Sequence, residues 1–184
     1  MTRLMVLGLL LQQGPMSGYE MQSMMQSGET DTWAGVFPAS IYHALRKLNE
    51  EGYVELEHVE KTGNRSKAIY RITEAGKEEF QKLLLASVAK CSVELPTELY
   101  TALTFHAADD VSMIALERAL DEQEQVIVKM RQKMKNGQEA KAEHMVIPQH
   151  VLLIFENIYA QYELQLQMIQ QVRDFLSTKS NKEK

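Results

Sequence analysis

Ser40, His43, Arg46 and Lys47 fall within about two helical turns and bring together a hydroxyl, an imidazole, a guanidinium and an ammonium group. These are groups that hydrogen-bond base edges and hold phosphates. An arginine can grip guanine through two parallel bonds, worth about 1–3 kcal/mol of discrimination, which makes Arg46 the specificity candidate. Lys47 is better suited to a phosphate as a point charge, His43 to a neutral polar contact, and Tyr42 to packing against a sugar-phosphate backbone. A second cationic group follows at Lys61, Arg65 and Lys67, set around Gly63 and Asn64. The ordinary reading of either group alone is a solvated charged surface. Catalysis is poorly served. The five histidines are scattered with no metal-ligand spacing, and the chain has no phosphate loop or nucleophile elbow. His106 with Asp109 and Asp110 comes nearest to a constellation, and an N-cap at Asp109 or Asp110 explains it better. Neither an enzyme nor a metal or cofactor site is expected.

The element that must carry the first group is a helix from Pro38 to Gly52. Ile41, Leu45 and Leu48 recur at i, i+4 and i+7 and so share a face that must be buried. A rotation of about 100° per residue places His43, Arg46, Lys47 and Glu50 opposite that face, with Ser40 and Tyr42 on its flanks. Pro38 suits a first turn and Gly52 the residue after the last. Next come two strands. Val54, Leu56 and His58 alternate with Glu55, Glu57 and Val59; on the return, Ala68, Tyr70 and Ile72 alternate with Ile69, Arg71 and Thr73. The turn between them tolerates positive φ at Gly63 and Asn64 and carries its cations at a hairpin tip, a suitable shape for phosphate or minor-groove contact.

Upstream, a helix over about Arg3 to Gln12 ends near Gly14-Pro15, and Ser17 caps a second running to Gly28. Ser17 and Tyr19, at the start of that second helix, complete the candidate contact set. The connection Glu29 to Gly35 reads as irregular. Trp33 within it either plugs the domain surface or a subunit contact, the ordinary use of a large aromatic, or lines a pocket for a small effector. After the hairpin, Thr73 caps a helix bearing Phe80, Leu83, Leu84 and Val88, and the segment Cys91 to Pro96 breaks the pattern. Residues 1–90 are therefore expected as one domain and 91–184 as another.

In the second domain, Met113, Leu116, Leu120, Gln123, Ile127, Met130 and Met134 follow steps of three and four, the seam of a coiled coil. The polar stretch Asn136 to Glu143 is expected as a turn. Pro148 then opens a long helix with Val151, Phe155, Ile158, Tyr162, Leu166, Ile169 and Val172 on one face. Leu152, Leu153, Tyr159, Leu164 and Met168 widen the apolar surface beyond what one antiparallel partner covers, so a homodimer interface is expected. Stripes of this kind are packing surface far more often than cofactor boxes.

The chain has 184 residues and a formal net charge of −5, with eight Lys/Arg against eleven Asp/Glu in residues 1–80. No overall basic field draws it to nucleic acid, so any such affinity must come from a local patch. One cysteine, Cys91, excludes an internal disulfide and fits a reducing compartment. The apolar run Met5 to Leu11 is too short to span a bilayer and lacks the flanks of a secretory signal. The expectation is a cytoplasmic protein without a membrane partner.

Leu7-Gly-Leu-Leu10 with Ser17-Gly-Tyr-Glu20, then Ser40-Ile-Tyr-His-Ala-Leu-Arg-Lys-Leu48 with Glu51-Gly-Tyr-Val54, then Tyr70-Arg-Ile-Thr-Glu-Ala-Gly76, resembles the PadR family of bacterial transcriptional regulators. The resemblance covers about the first ninety residues. The helical second half is similar, by pattern, to the longer branch of that family, whose C-terminal domain resembles that of virulence-gene activators. The hairpin return Arg65-Ser-Lys-Ala-Ile-Tyr70 departs from the family's more basic, doubly aromatic run. The resemblance implies a mainly α fold with a small β-hairpin: an N-terminal winged helix-turn-helix and a C-terminal antiparallel helical dimerisation domain. It also implies a homodimer on a palindromic operator, usually a repressor, released in many members by a small, often aromatic molecule. The competing reading is a winged-helix module that binds another protein. Glu50, Glu51, Glu55, Glu57 and Glu60 near the supposed DNA face would favour that reading if they pointed toward phosphate.

Overall fold

The computed structural model describes residues 1–62, 65–90, 93–105 and 112–180, which form two compact units, Met1–Val93 and Glu94–Lys184. Gly63, Asn64, Cys91, His106, Asp109 and Asp110 lie outside the described residues.

The first unit runs α1 (Thr2–Gln13), β1 (Met16–Ser17), α2 (Gly18–Ser27), α3 (Thr30–Trp33), a 3-10 turn (Pro38–Ser40), α4 (Ile41–Glu50), β2 (Val54–Thr62), β3 (Arg65–Ile72) and α5 (Glu74–Ala89). The spacing of Ile41, Leu45 and Leu48 does what it predicts: all three are buried, together with Val6, Leu7 and Leu10 of α1, Met21 and Met25 of α2, and Val54 of β2. Each such side chain contributes about 1.5–3 kcal/mol on burial, so α4 is held chiefly by one face and leaves the other free for function. Its first turn is tighter than expected. Pro38 to Ser40 are 3-10, and regular α-helix begins at Ile41.

Two features of the sheet depart from the expected two-stranded hairpin. A third strand, β1, pairs antiparallel with β3 at Met16↔Tyr70 and Ser17↔Ile69, giving the order β1-β3-β2. Two residues are too few to show a period of two, so the strand leaves no pattern in the sequence. The second departure is a bulge between Leu56 and His58, where Leu56 pairs with Tyr70 but His58 with Ile69. Glu57 is the extra residue, and past it the alternation changes sides. Val59 thereby joins the face of Leu56, opposite Ala68, and His58 leaves it.

Helix α4 is locked to the sheet and to α5 through one short stretch. Gly52 takes φ 78°, Tyr53 N–H donates to the Leu48 carbonyl at 2.8 Å, and Thr73 N–H donates to the Tyr53 carbonyl at 3.1 Å. Thr73 caps α5 as expected, its hydroxyl oxygen accepting from Gly76 N–H at 3.0 Å. A Cβ on Gly76 would lie 2.0 Å from the Tyr53 oxygen, so this crossing admits only glycine.

The second unit comprises α6 (Thr97–Thr104), α7 (Met113–His144) and α8 (Gln149–Ser180). Asp121 with Arg173, Arg131 with Glu163 and Gln138 with Tyr159 pair in opposite chain order, so α7 and α8 are antiparallel. Leu120, Ile169, Val172 and Leu176 are buried between them, with Leu103, Leu116, Ile127 and Met168 packed alongside. Arg173 gathers Asp121 and Glu124 at 2.6 Å each and Glu117 at 3.6 Å. The turn expected at Asn136 to Glu143 is instead helical, and the chain reverses after His144. Glu139-Ala-Lys-Ala-Glu143 are mostly strong helix formers that outweigh the single Gly137, and Pro148 disfavours helix in the residue before it. No helix of the described residues is long and apolar enough to cross a membrane.

Candidate nucleic-acid interface

The free face of α4 carries Tyr42, His43, Arg46, Lys47 and Glu50, all exposed. Arg46 donates to His43 Nδ1 at 3.3 Å and lies 3.9 Å from Glu50, and Lys47 Nζ lies 3.3 Å from the same carboxylate. Exposed pairs of this kind contribute about 0.2–1 kcal/mol, so both cations can exchange Glu50 for another anion at little cost. Ser40 sits at the start of the helix with its hydroxyl already engaged, donating to the Phe37 carbonyl at 2.6 Å and sharing a hydrogen bond with Thr2 Oγ1 at 3.1 Å.

The start of α2 lies beside this face. A Cβ on Gly18 would come within 2.8 Å of the Tyr42 ring, so Gly18 lets that ring lie against the helix. Tyr19 stands out from the surface at 69% exposure. Ser17 does not. It is 3% exposed, and its hydroxyl serves a capping box, accepting from Glu20 N–H at 3.2 Å and donating to Glu20 Oε2 at 2.9 Å. Of the candidates at this helix start, Tyr19 offers a free side chain while Ser17 shapes the backbone.

The hairpin carries the second group of cations. Lys61 is exposed opposite Ser66; of Arg65 the backbone alone is described, opposite Thr62. Lys67 lies three pairs from the turn, its ammonium 2.7 Å from Glu20 and 3.6 Å from Glu60. The acidic residues beside the interface each meet a cation or an imidazole. Glu50 faces Arg46 and Lys47, Glu55 faces Arg71 at 3.0 Å, and Glu57 and Glu60 flank His58. Arg3 donates to both oxygens of Glu51, at 2.9 and 2.6 Å, which holds that carboxyl below the usual carboxylate range. Of the carboxylates that argued for a protein partner, Glu51, Glu55 and Glu60 are thus each paired within the unit with a cation outside α4.

Trp33 closes the one-turn helix α3, 42% exposed, its indole N–H donating to the Gly28 carbonyl at 2.8 Å. The stripe residues Leu116, Leu120, Ile127, Val151, Phe155, Ile158, Tyr162, Leu166 and Ile169 are buried or half-buried, whereas Met113 and Met130 are exposed. Burial raises the pKa of the Tyr162 hydroxyl. Sequence reasoning missed Arg3, Arg71 and Glu20. Ser17-x-x-Glu20 is itself a capping-box signature and could have exposed the last.

Residues 6–82 match the model of the transcriptional regulator PadR-like family. Comparison with curated proteins gives no match. Among solved structures, PadR of Bacillus subtilis in complex with operator DNA superposes with a TM-score of 0.73 at 17% identity, covering 95% of this chain and 98% of that one. The same protein in complex with p-coumaric acid gives the same four values, 0.73, 17%, 95% and 98%. A PadR-like transcriptional regulator from Bacillus cereus gives a TM-score of 0.68 at 21% identity, covering 97% of this chain and 99% of that one. The virulence activator AphA of Vibrio cholerae gives 0.63 at 17% identity, covering 98% and 99%. At these identities the structural likeness speaks for the fold, and the family model speaks for the first unit. The chain carries a PadR-like transcriptional regulator domain over residues 6–82, within the PadR winged-helix fold.

Proposed function

We propose that the chain is a sequence-specific DNA-binding regulator that acts as a homodimer on a palindromic operator, most simply as a repressor. The observation that carries this reading is α4 itself: one face buried, the other presenting His43, Arg46 and Lys47 to solvent. In this reading α4 enters the major groove. Arg46 reads a base, Lys47 holds a phosphate, and His43, Ser40 and Tyr42 contact edges and backbone. Tyr19 supports from the start of α2, where Ser17 fixes the turn, and Lys61, Asn64 and Arg65 reach from the wing. Likeness to a PadR solved with operator DNA supports the docking mode.

The dimer is supported by apolar surface in the C-terminal unit that α7 and α8 leave uncovered. Ile114 is 83% exposed, Leu153 57% and Leu164 60%. A second copy packed along α7 and α8 would cover such side chains, and it is the partner a two-fold operator requires. In a dimer of this design the two α4 helices would meet half-sites about 34–36 Å apart. A small aromatic effector, with Trp33 at its site, would act by binding more tightly to the arrangement that misplaces those helices. The likeness to a PadR solved with p-coumaric acid supports that class of ligand. Such a regulator works in the cytoplasm.

The test is a titration onto the duplex upstream of its own gene at several salt concentrations. The expected result is log K falling with log salt by about 0.9 per phosphate neutralised. Absence of salt-dependent binding to any promoter fragment would instead favour a winged-helix scaffold for another protein.

A further inference from the structure

Lys67 looks in the sequence like one more cation of the wing tip, but its surroundings are those of an anchor. Its ammonium donates to Glu20 Oε1 at 2.7 Å, while the other oxygen of that carboxylate accepts from Ser17 N–H and Ser17 Oγ, both at 2.9 Å. One carboxylate therefore joins β3 to the capped start of α2. The sheet makes the position significant. Strand β1 pairs with β3 no farther out than Ser17↔Ile69, and Lys67 lies two residues beyond that rung, toward the turn. From there outward the wing is a two-stranded ribbon, which twists and bends more readily than a three-stranded sheet. Glu60, across the ladder, closes on the same ammonium at 3.6 Å. Two carboxylates around one ammonium make a poor place for a phosphate.

We propose that Lys67 is a positioning residue: bridging Glu20 and Glu60, it fixes the angle of the wing against α2 and α4, so that Lys61 and Arg65 make the phosphate contacts and Lys67 makes none. The assignment rests on the DNA reading above for its consequence, but the anchor itself can be measured without DNA. The depressed pKa of Glu20, set first by the hydrogen bond from Lys67, agrees with a standing contact.

The experiment uses the full chain with Lys67→Met, Glu20→Gln, both together, and Lys67→Arg. Glutamine retains the acceptor the capping box needs while removing the charge. Amide hydrogen exchange is followed across residues 54–72, and affinity for the upstream duplex is measured against salt. Anchoring predicts faster exchange in the hairpin of either single variant, no further acceleration in the double variant, and protection restored by Lys67→Arg. Affinity of Lys67→Met falls by up to about fivefold, the reach of one exposed ion pair, while the salt slope stays at its original value. A slope lower by about 0.9 per copy with hairpin exchange unchanged overturns the proposal, because Lys67 would then be a phosphate contact. Additive exchange effects overturn it too, since the two residues would not act as a pair. If the unaltered chain shows no salt-dependent binding, the DNA reading fails, and the exchange data alone decide the anchor.

Discussion

Arg46 and Lys47 differ in what their loss should do, although they share one carboxylate. Arg46→Ala should weaken the best operator by about 1–3 kcal/mol and relax preference at one base position, as read by competition between single-base operator variants. Lys47→Ala should weaken all duplexes alike. Gly76→Ala tests a different constraint. Its methyl group would meet the Tyr53 oxygen at 2.0 Å, and the resulting shift should cost about 1–3 kcal/mol or more in thermal unfolding, with the α4-to-sheet junction disturbed. Glu20 has a pH signature. Its carboxyl is lowered from 4.5 to about 2, first by the Lys67 hydrogen bond and then by Ser17, so it binds protons less readily folded than unfolded. Its contribution is therefore complete above pH 4.5 and lost as pH falls toward 2. The stability difference between the natural chain and Glu20→Gln should shrink across that window, and a difference independent of pH would refute the pairing. At this scale the sequence was readable wherever partners are near in the chain: Glu50 lies three and four residues from Lys47 and Arg46. The contact of Glu20 with Lys67 spans 47 positions and left no trace in the pattern.

At the scale of elements, periodicity served long segments well and short or interrupted ones badly. The α4 stripe and the Thr73 cap formed as the spacing indicated. Strand β1 is two residues long, and the bulge at Glu57 breaks the alternation that a strand must show to be oriented from sequence. The expected α7 turn failed because a polar run is compatible with an exposed helix as well as with a loop. Gly137 now lies inside α7, with no neighbouring atom within 4 Å of an added Cβ. Gly137→Ala should accordingly raise stability by about 0.4–1 kcal/mol in chemical denaturation, and a loss would mean that α7 is interrupted there in solution. For the wing, Lys61→Ala should flatten the salt slope by about 0.9, or about 1.8 if the symmetric dimer uses both copies.

For the whole molecule, the stripes that suggested a dimer divide their work. Leu116, Leu120, Ile127 and Ile169 are spent within the chain, sealing α7 against α8, while Leu153 and Leu164 of α8 remain outside that seam. We expect Leu164→Asp to leave the helical content intact and to shift the sedimenting species from two chains to one, with operator affinity falling in parallel. An unchanged mass would place the dimer contact elsewhere. By itself the sequence determined the place of helix α4, its buried and free faces, the family resemblance and the absence of an overall positive charge. These depend on residues close in the chain, where helical and strand periods impose their own order. The tertiary structure alone decided which charges are free. It paired Arg3 with Glu51, Arg71 with Glu55 and Lys67 with Glu20, and it sorted the apolar stripes into seam and surface. Such pairings join residues far apart in the chain, and no local period encodes them.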